Sequence, residues 1–224
     1  MLLRQLEAVF AELPPRAVKT GMLFSAANFR VVADFLGARP ASSRVPLVVD
    51  PVMVSTSGSR LLESSAERIL REKLLPLATL VTPNLDEIKA LLGGRPDSPA
   101  EMGRAAREIH RRFGCAVLVK GGHLRRPAEA IDVFFDGATE WELAAPRVPG
   151  LRTHGTGCTY SAAICAALAL GSDLTTAVRM GKLYITSAIA NSYRVGAHWA
   201  LGPGCVDVRK MTGHGGGVRH PRLT

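Results

Sequence analysis

The chain has 224 residues, a formal net charge of +9, 47% apolar and only 5% aromatic residues. That length suits one sizeable α/β domain, and a core drawn mainly from Ala, Val, Leu and Ile suits helices on a parallel sheet. No apolar run reaches the ~20 residues of a membrane span, and Arg4, Glu7 and Glu12 interrupt the N-terminal segment, so neither a membrane partner nor a signal peptide is expected, and the location is expected to be cytoplasmic.

In chain order, Leu2, Leu3, Leu6, Val9, Phe10 and Leu13 recur at helical spacing up to Pro14-Pro15. AVKTG follows as a short strand, then a helix from about Ala26 to Leu36 and the buried strand PLVVD, ending at Asp50. The alternation continues with the helix SAERILREKLLPL, the strand ATLVT, the short helix NLDEIKALL, and SPAEMGRAAREIHRRFG, a longer helix with Ser98 and Glu101 at capping-box spacing. CAVLVK is a strand that delivers Lys120 at its end, and IDVFFDG with TEWEL form an antiparallel pair turning near Gly137. A helix starting in GTGCT and a last helix through Leu183 to Tyr193 complete one domain, residues 1–210, and the Gly-, His- and Arg-rich tail 211–224 is expected to be disordered.

The positive charge arrives without aromatic interleaving or a nucleic-acid motif, and Arg104, Arg107, Arg111 and Arg112 lie at the spacing of a solvated helix face, so no nucleic-acid partner is expected. Cys115, Cys158, Cys165 and Cys205 form no C-x-x-C pair and read as reduced thiols.

Strands alternating with helices predict a parallel sheet covered on both faces, with ligands at the carboxyl ends of the strands. Those ends carry Thr20-Gly21-Met22, Asp50-Pro51-Val52-Met53, Thr82-Pro83-Asn84, Lys120-Gly121-Gly122-His123 and the Gly155 to Cys158 turn. Together they supply carboxylates, a lysine and the N–H-rich start of a helix, equipment for a magnesium-bound polyphosphate. Singly, Asp50 also suits a turn cap, Glu87 a first-turn carboxylate, Lys120 a surface charge, and Thr153 or Thr156 an ordinary N-cap. There is no G-x-x-x-x-G-K-[ST], and GTGCTY lacks the third glycine of a dinucleotide fingerprint.

KTGML, VVDPVM, LVTPNLDE, LVKGGH and RTHGTGCT, in that order, resemble the motifs of the hydroxymethylpyrimidine and phosphomethylpyrimidine kinases of thiamine biosynthesis, from about Gln5 to Gly204. The resemblance implies a ribokinase-like fold, ATP as co-substrate, Mg2+, a pyrimidine alcohol or its monophosphate as acceptor, and a homodimer. It places Gly155, Thr156, Gly157 and Cys158 at the anion hole, with Cys158 where most of the superfamily has an aspartate base. It puts Lys120, Asn84, Asp50, Thr153 and Gly122 on ATP, Glu87 and Asp50 near the metal, and Met22, Gly21 and Val52 against the pyrimidine. A helix N terminus favours the thiolate form of a cysteine, so Cys158 is expected to act as a base. Cys165, seven residues on, is expected in the core, and His123 and His154 lack metal-ligand spacing.

Two departures accompany the resemblance. Thr56 stands where the family usually has a lysine, and the family's opening strand, glycine-rich loop and lid strands have no counterpart before Met1. An N-terminally truncated chain with a weakened dimer is therefore expected. A pyridoxal kinase of the same fold and a non-catalytic nucleotide-binding remnant are the alternatives.

Overall fold

The computed structural model describes residues 1–53, 62–122, 124, 128–148 and 154–202. Thr56, His123, Thr153, Cys205 and the tail from Met211 lie outside these residues.

Strands β1 (Val18–Thr20), β2 (Leu47–Val49), β3 (Leu80–Val81) and β4 (Ala116–Val119) run parallel, and β5 (Glu129–Phe135) and β6 (Glu140–Pro146) continue the same sheet antiparallel. The helices are α1 (Leu2–Glu12), α2 (Ala26–Gly37), α3 (Ser64–Ile69), α4 (Leu85–Leu92), α5 (Pro99–Phe113), α6 (Thr156–Ala169) and α7 (Leu174–Ala190). Successive strand residues alternate between two cores. Leu47, Val49, Val81, Val117, Val119 and Val133 meet Phe29, Ile88, Met102 and Ile109 on one face. Val48, Leu80, Ala116, Leu118 and Phe134 meet Tyr160, Ile164, Ala177 and Val178 of α6 and α7 on the other. This two-sided burial is why the central strands read as unbroken apolar runs, with each fully buried aliphatic side chain contributing ~1.5–3 kcal/mol.

Local chemistry sets the helix ends. Ser25 Oγ accepts from the Asn28 N–H at 3.3 Å. Asn84 Oδ1 accepts from the N–H groups of Asp86 and Glu87 at 2.9 Å each, while Glu87 Oε2 accepts from the Asn84 N–H at 2.8 Å, a complete capping box. At α5 the expected box is incomplete: Ser98 Oγ caps the Glu101 N–H at 3.4 Å, but the Glu101 carboxylate reaches one residue further back, to the Asp97 N–H at 3.0 Å. Gly93 and Gly114, at φ 89° and 75°, close α4 and α5 in the left-handed conformation that glycine adopts without strain.

Two expectations are corrected, and one element is new. The single helix expected over SAERILREKLLPL is α3 followed by a wider π turn, Leu70–Leu74, and a 3-10 turn, Leu75–Leu77, where Pro76 has no N–H to extend an α-helical ladder. The last helix is α7, starting at Leu174 and ending at Ala190 rather than running to Tyr193. Tyr193 belongs to an unforeseen hairpin, β7 (Tyr193–Val195) with β8 (His198–Ala200), whose turn contains Gly196 at φ 60°. The arginine face of α5 is as expected: Arg104 pairs with Glu101, Arg107 with Glu140, and Arg111 and Arg112 with Glu108. Among the described residues no helix is long and apolar enough to cross a membrane.

Candidate active site

The strand ends meet at Asp50. This carboxylate, 2% exposed, follows β2, and its N–H donates to the Thr20 carbonyl at 3.0 Å. Asp50 Oδ1 accepts from Lys120 Nζ at 2.9 Å and from Thr82 Oγ1 at 3.4 Å; Oδ2 accepts from Ser161 Oγ at 3.1 Å. Three segments far apart in sequence, the ends of β3 and β4 and the start of α6, are thereby tied to one side chain. Lys120, directly after β4, forms an isolated parallel bridge with Asn84 beyond the β3–β4 ladder, its N–H donating to the Pro83 carbonyl at 2.9 Å. Burial opposes the Lys120 charge, but Asp50 and Glu87 outweigh it and hold the ammonium above its ordinary pKa. Glu87 is itself buried, which raises its pKa; Lys120 opposes the rise and Asp50 adds to it.

The start of α6 faces the same lysine. Its N-cap is Gly155 at φ 80°, with no side-chain cap, and Thr156 is the first helical residue, so the ordinary-cap reading of Thr156 is set aside. With no capping side chain, the first N–H groups and the positive end of the helix dipole are left for an anion. A Cβ at Gly157 would lie 3.1 Å from Lys120 Nζ, so glycine permits the lysine to lie against the first turn. Ser161 Oγ also lies 3.1 Å from the Gly157 and Cys158 carbonyl oxygens, so its single proton can turn to Asp50 or back to the first turn of α6, which it keeps beside that carboxylate.

Among the three described thiols, which form no disulfide, only Cys158 is exposed. Burial pushes the Cys115 thiol up to about 12, and Cys165 is half-buried against the α6–α7 core, as expected, with its pKa raised by burial. Gly122 lies beside Lys120 in the following turn, where its carbonyl accepts from Arg147 Nη1 at 2.8 Å. Met22 is 51% exposed beyond β1, and Val52 follows Asp50 at φ 41°. A Cβ at Gly21 would lie 2.8 Å from Lys19 Nζ. Among the described residues no hydrogen bond or ion pair joins Met22, Gly21 or Val52 to the Asp50–Lys120 cluster. His154 is exposed and stands edge-on to His198, ring centroids 6.4 Å apart.

Sequence reasoning placed Thr82 at a strand end without giving it a role, and missed Ser161. Ser161 carried a weaker signal, a lone hydroxyl one turn into a helix of alanines whose first turn was the suspected anion site.

A family model described as phosphomethylpyrimidine kinase matches residues 1–203. A hydroxymethylpyrimidine/phosphomethylpyrimidine kinase of Rhizobium meliloti is 48% identical over 201 residues, 89% of this chain and 73% of that protein. The thiamine biosynthesis bifunctional protein ThiED of Geobacter sulfurreducens is 44% identical over 185 residues, and this chain spans 37% of its length. The solved pyridoxal kinase from Staphylococcus aureus in complex with AMP-PCP superimposes with a TM-score of 0.81 at 32% identity, over 91% of this chain and 73% of that one. The match runs through every strand end that converges on Asp50 and through the start of α6, and this chain belongs to the phosphomethylpyrimidine kinase family.

Proposed function

We propose that this chain transfers the γ-phosphate of ATP to the hydroxymethyl group of hydroxymethylpyrimidine and to the phosphate of its monophosphate. The observation that carries the reading is the uncapped start of α6, with exposed Cys158, set against the part-buried Lys120. The names of the thiamine-biosynthesis relatives support the acceptor, and the AMP-PCP complex of the pyridoxal kinase supports ATP as co-substrate.

In this reading Lys120 binds the terminal phosphate oxygens, with Asn84, Gly122 and Thr153 around the nucleotide phosphates. The N–H groups of Gly155, Thr156, Gly157 and Cys158 receive the charge that develops on the transferring phosphoryl. Cys158 sulfur takes the proton of the acceptor hydroxyl as the new O–P bond forms and the bond to ADP breaks. Met22, Gly21 and Val52 line the pyrimidine. Mg2+ keeps several waters and is held by one or two carboxylates plus substrate phosphates. Among the described residues no group of three or more His, Cys, Asp or Glu could cage a metal, but the buried Asp50 and Glu87 fit that smaller demand. Bound there, the ion supplies positive charge at the phosphates.

Cys158→Ala should lower acceptor-dependent ADP release ~10²–10⁴-fold with ATP affinity nearly unchanged. Undiminished turnover at saturating substrates would remove the base role. The likeness to pyridoxal kinase favours a second acceptor, and competition between pyridoxal and hydroxymethylpyrimidine decides between them: hydroxymethylpyrimidine should win, and phosphorylation of pyridoxal alone would reassign the acceptor.

A further inference from the structure

Behind the lysine turn lies a second buried network. Asp132, 4% exposed in the middle of β5, and Lys182, 8% exposed on α7, form an ion pair at 2.7 Å, and Lys182 Nζ also donates to the Ala130 carbonyl at 2.9 Å. The other carboxylate oxygen, Asp132 Oδ1, accepts the N–H of Gly121 at 2.8 Å, the residue directly after Lys120. The Tyr160 hydroxyl of α6 is buried near the same carboxylate; burial first and Asp132 second raise its pKa, although it makes no hydrogen bond of ordinary geometry.

The position of Gly121 explains what this network is for. The β4–β5 ladder pairs Val117 with Phe135, Leu118 with Phe134 and Val119 with Val133. Two residues beyond, the chain is still pressed on β5: a Cβ at Gly121 would collide with the Ile131 carbonyl oxygen and with Met102 Cε. The Gly121 N–H, past the end of the ladder, is taken by a side chain instead. A buried ion pair is by itself weak support for stability, because apolar residues of similar volume often replace one without loss. What apolar residues cannot replace is the acceptor for Gly121.

We propose that Asp132, held in place by Lys182, is a positioning residue that sets the Lys120-Gly121 turn and so aims the Lys120 ammonium at the nucleotide phosphates. The inference rests on the reading of Lys120 as the phosphate lysine. It gives α7 a part in nucleotide binding.

Two double variants separate positioning from stability, since both remove the ion pair. Asp132→Asn/Lys182→Met keeps an oxygen acceptor for Gly121; Asp132→Leu/Lys182→Met does not. Calorimetric titration with Mg-ATP and Mg-ADP needs no acceptor substrate and reports on the folded fraction. The asparagine variant should bind ATP like the parent, and the leucine variant should bind it about tenfold or more weaker, with a smaller loss for ADP. Parent-like ATP affinity in the leucine variant overturns the proposal. If the leucine variant does not fold, amide exchange in the asparagine variant decides: a Gly121 N–H as protected as in the parent, with unchanged ATP affinity, supports positioning, and an unprotected one with unchanged affinity refutes it. Lys120→Ala runs alongside. Unchanged ATP affinity there would reject the reading of Lys120 itself, whereas a loss there with none in the leucine variant rejects only the positioning role.

Discussion

Two lysine–aspartate pairs are buried among the described residues, one at the strand ends and one between β5 and α7, and they are close to identical as pairs. Lys120 and Asp50 stand 2.9 Å apart with side chains 12% and 2% exposed; Lys182 and Asp132 stand 2.7 Å apart at 9% and 6%. Their surroundings differ. The first opens onto an uncapped helix start and an exposed thiol, with a second buried carboxylate, Glu87, acting on the same lysine. The second is closed by the Ala130 carbonyl and the Gly121 N–H and walled by the apolar layer of α6 and α7. An ion pair at a ligand-facing edge can exchange partners when a phosphate arrives, because the incoming charge replaces the one it displaces. A pair closed by backbone groups has no such exchange available and serves as frame.

The largest effect expected from this difference is on folding. Lys182→Ala leaves Asp132 charged and buried and should cost about 3–5 kcal/mol in urea denaturation. Lys120→Ala leaves Asp50 with the hydroxyls of Ser161 and Thr82 and should cost only about 1–2 kcal/mol. Equal losses would erase the distinction between frame and site.

Nucleotide binding should reverse the ranking at the open pair. Lys120→Ala should weaken ATP by about 10–100-fold and ADP by less, since a lysine at the terminal phosphate loses most when that phosphate is present. Equal losses for the two nucleotides in calorimetry would move Lys120 off the γ-phosphate.

The smallest effect concerns Glu87, whose charge the open site tolerates poorly. Its pKa is raised from an ordinary 4.5, chiefly by burial, so the folded chain holds this proton more firmly than the unfolded one. The associated stability is fully present below 4.5 and is lost as pH rises through the folded value. Glu87→Gln, which cannot ionise, should therefore gain in melting temperature relative to the parent as pH increases from 4.5 toward neutrality. A parent–variant difference that does not change with pH would mean the Glu87 carboxylate is not strained by its site.

Features that depend on neighbouring residues were legible in the sequence. The first-turn place of Glu87, the Ser98 cap, the buried strands and the residues at their ends are specified by hydrogen bonds and side-chain periods spanning a few positions. The convergence of the strand ends also followed, because right-handed crossovers between parallel strands leave few alternatives. The end of α7 and the β7–β8 hairpin did not, because the helical spacing of Ile185, Ala188 and Ile189 carries on toward Tyr193, and Asn191 at the C-cap and Gly196 in the turn are single-residue signals. Nor did the partnerships that make the site: Ser161 reaches Asp50 across 111 residues, and Lys182 reaches Asp132 across 50. A serine in a run of alanines, an aspartate in a strand and a lysine in a helix have ordinary local roles in water. Only packing, which removes water and leaves each charge or hydroxyl the partner it can reach, decided that Ser161 and Thr82 join Asp50 and Lys120 at the strand ends and that Lys182 and Asp132 pair in the frame behind them.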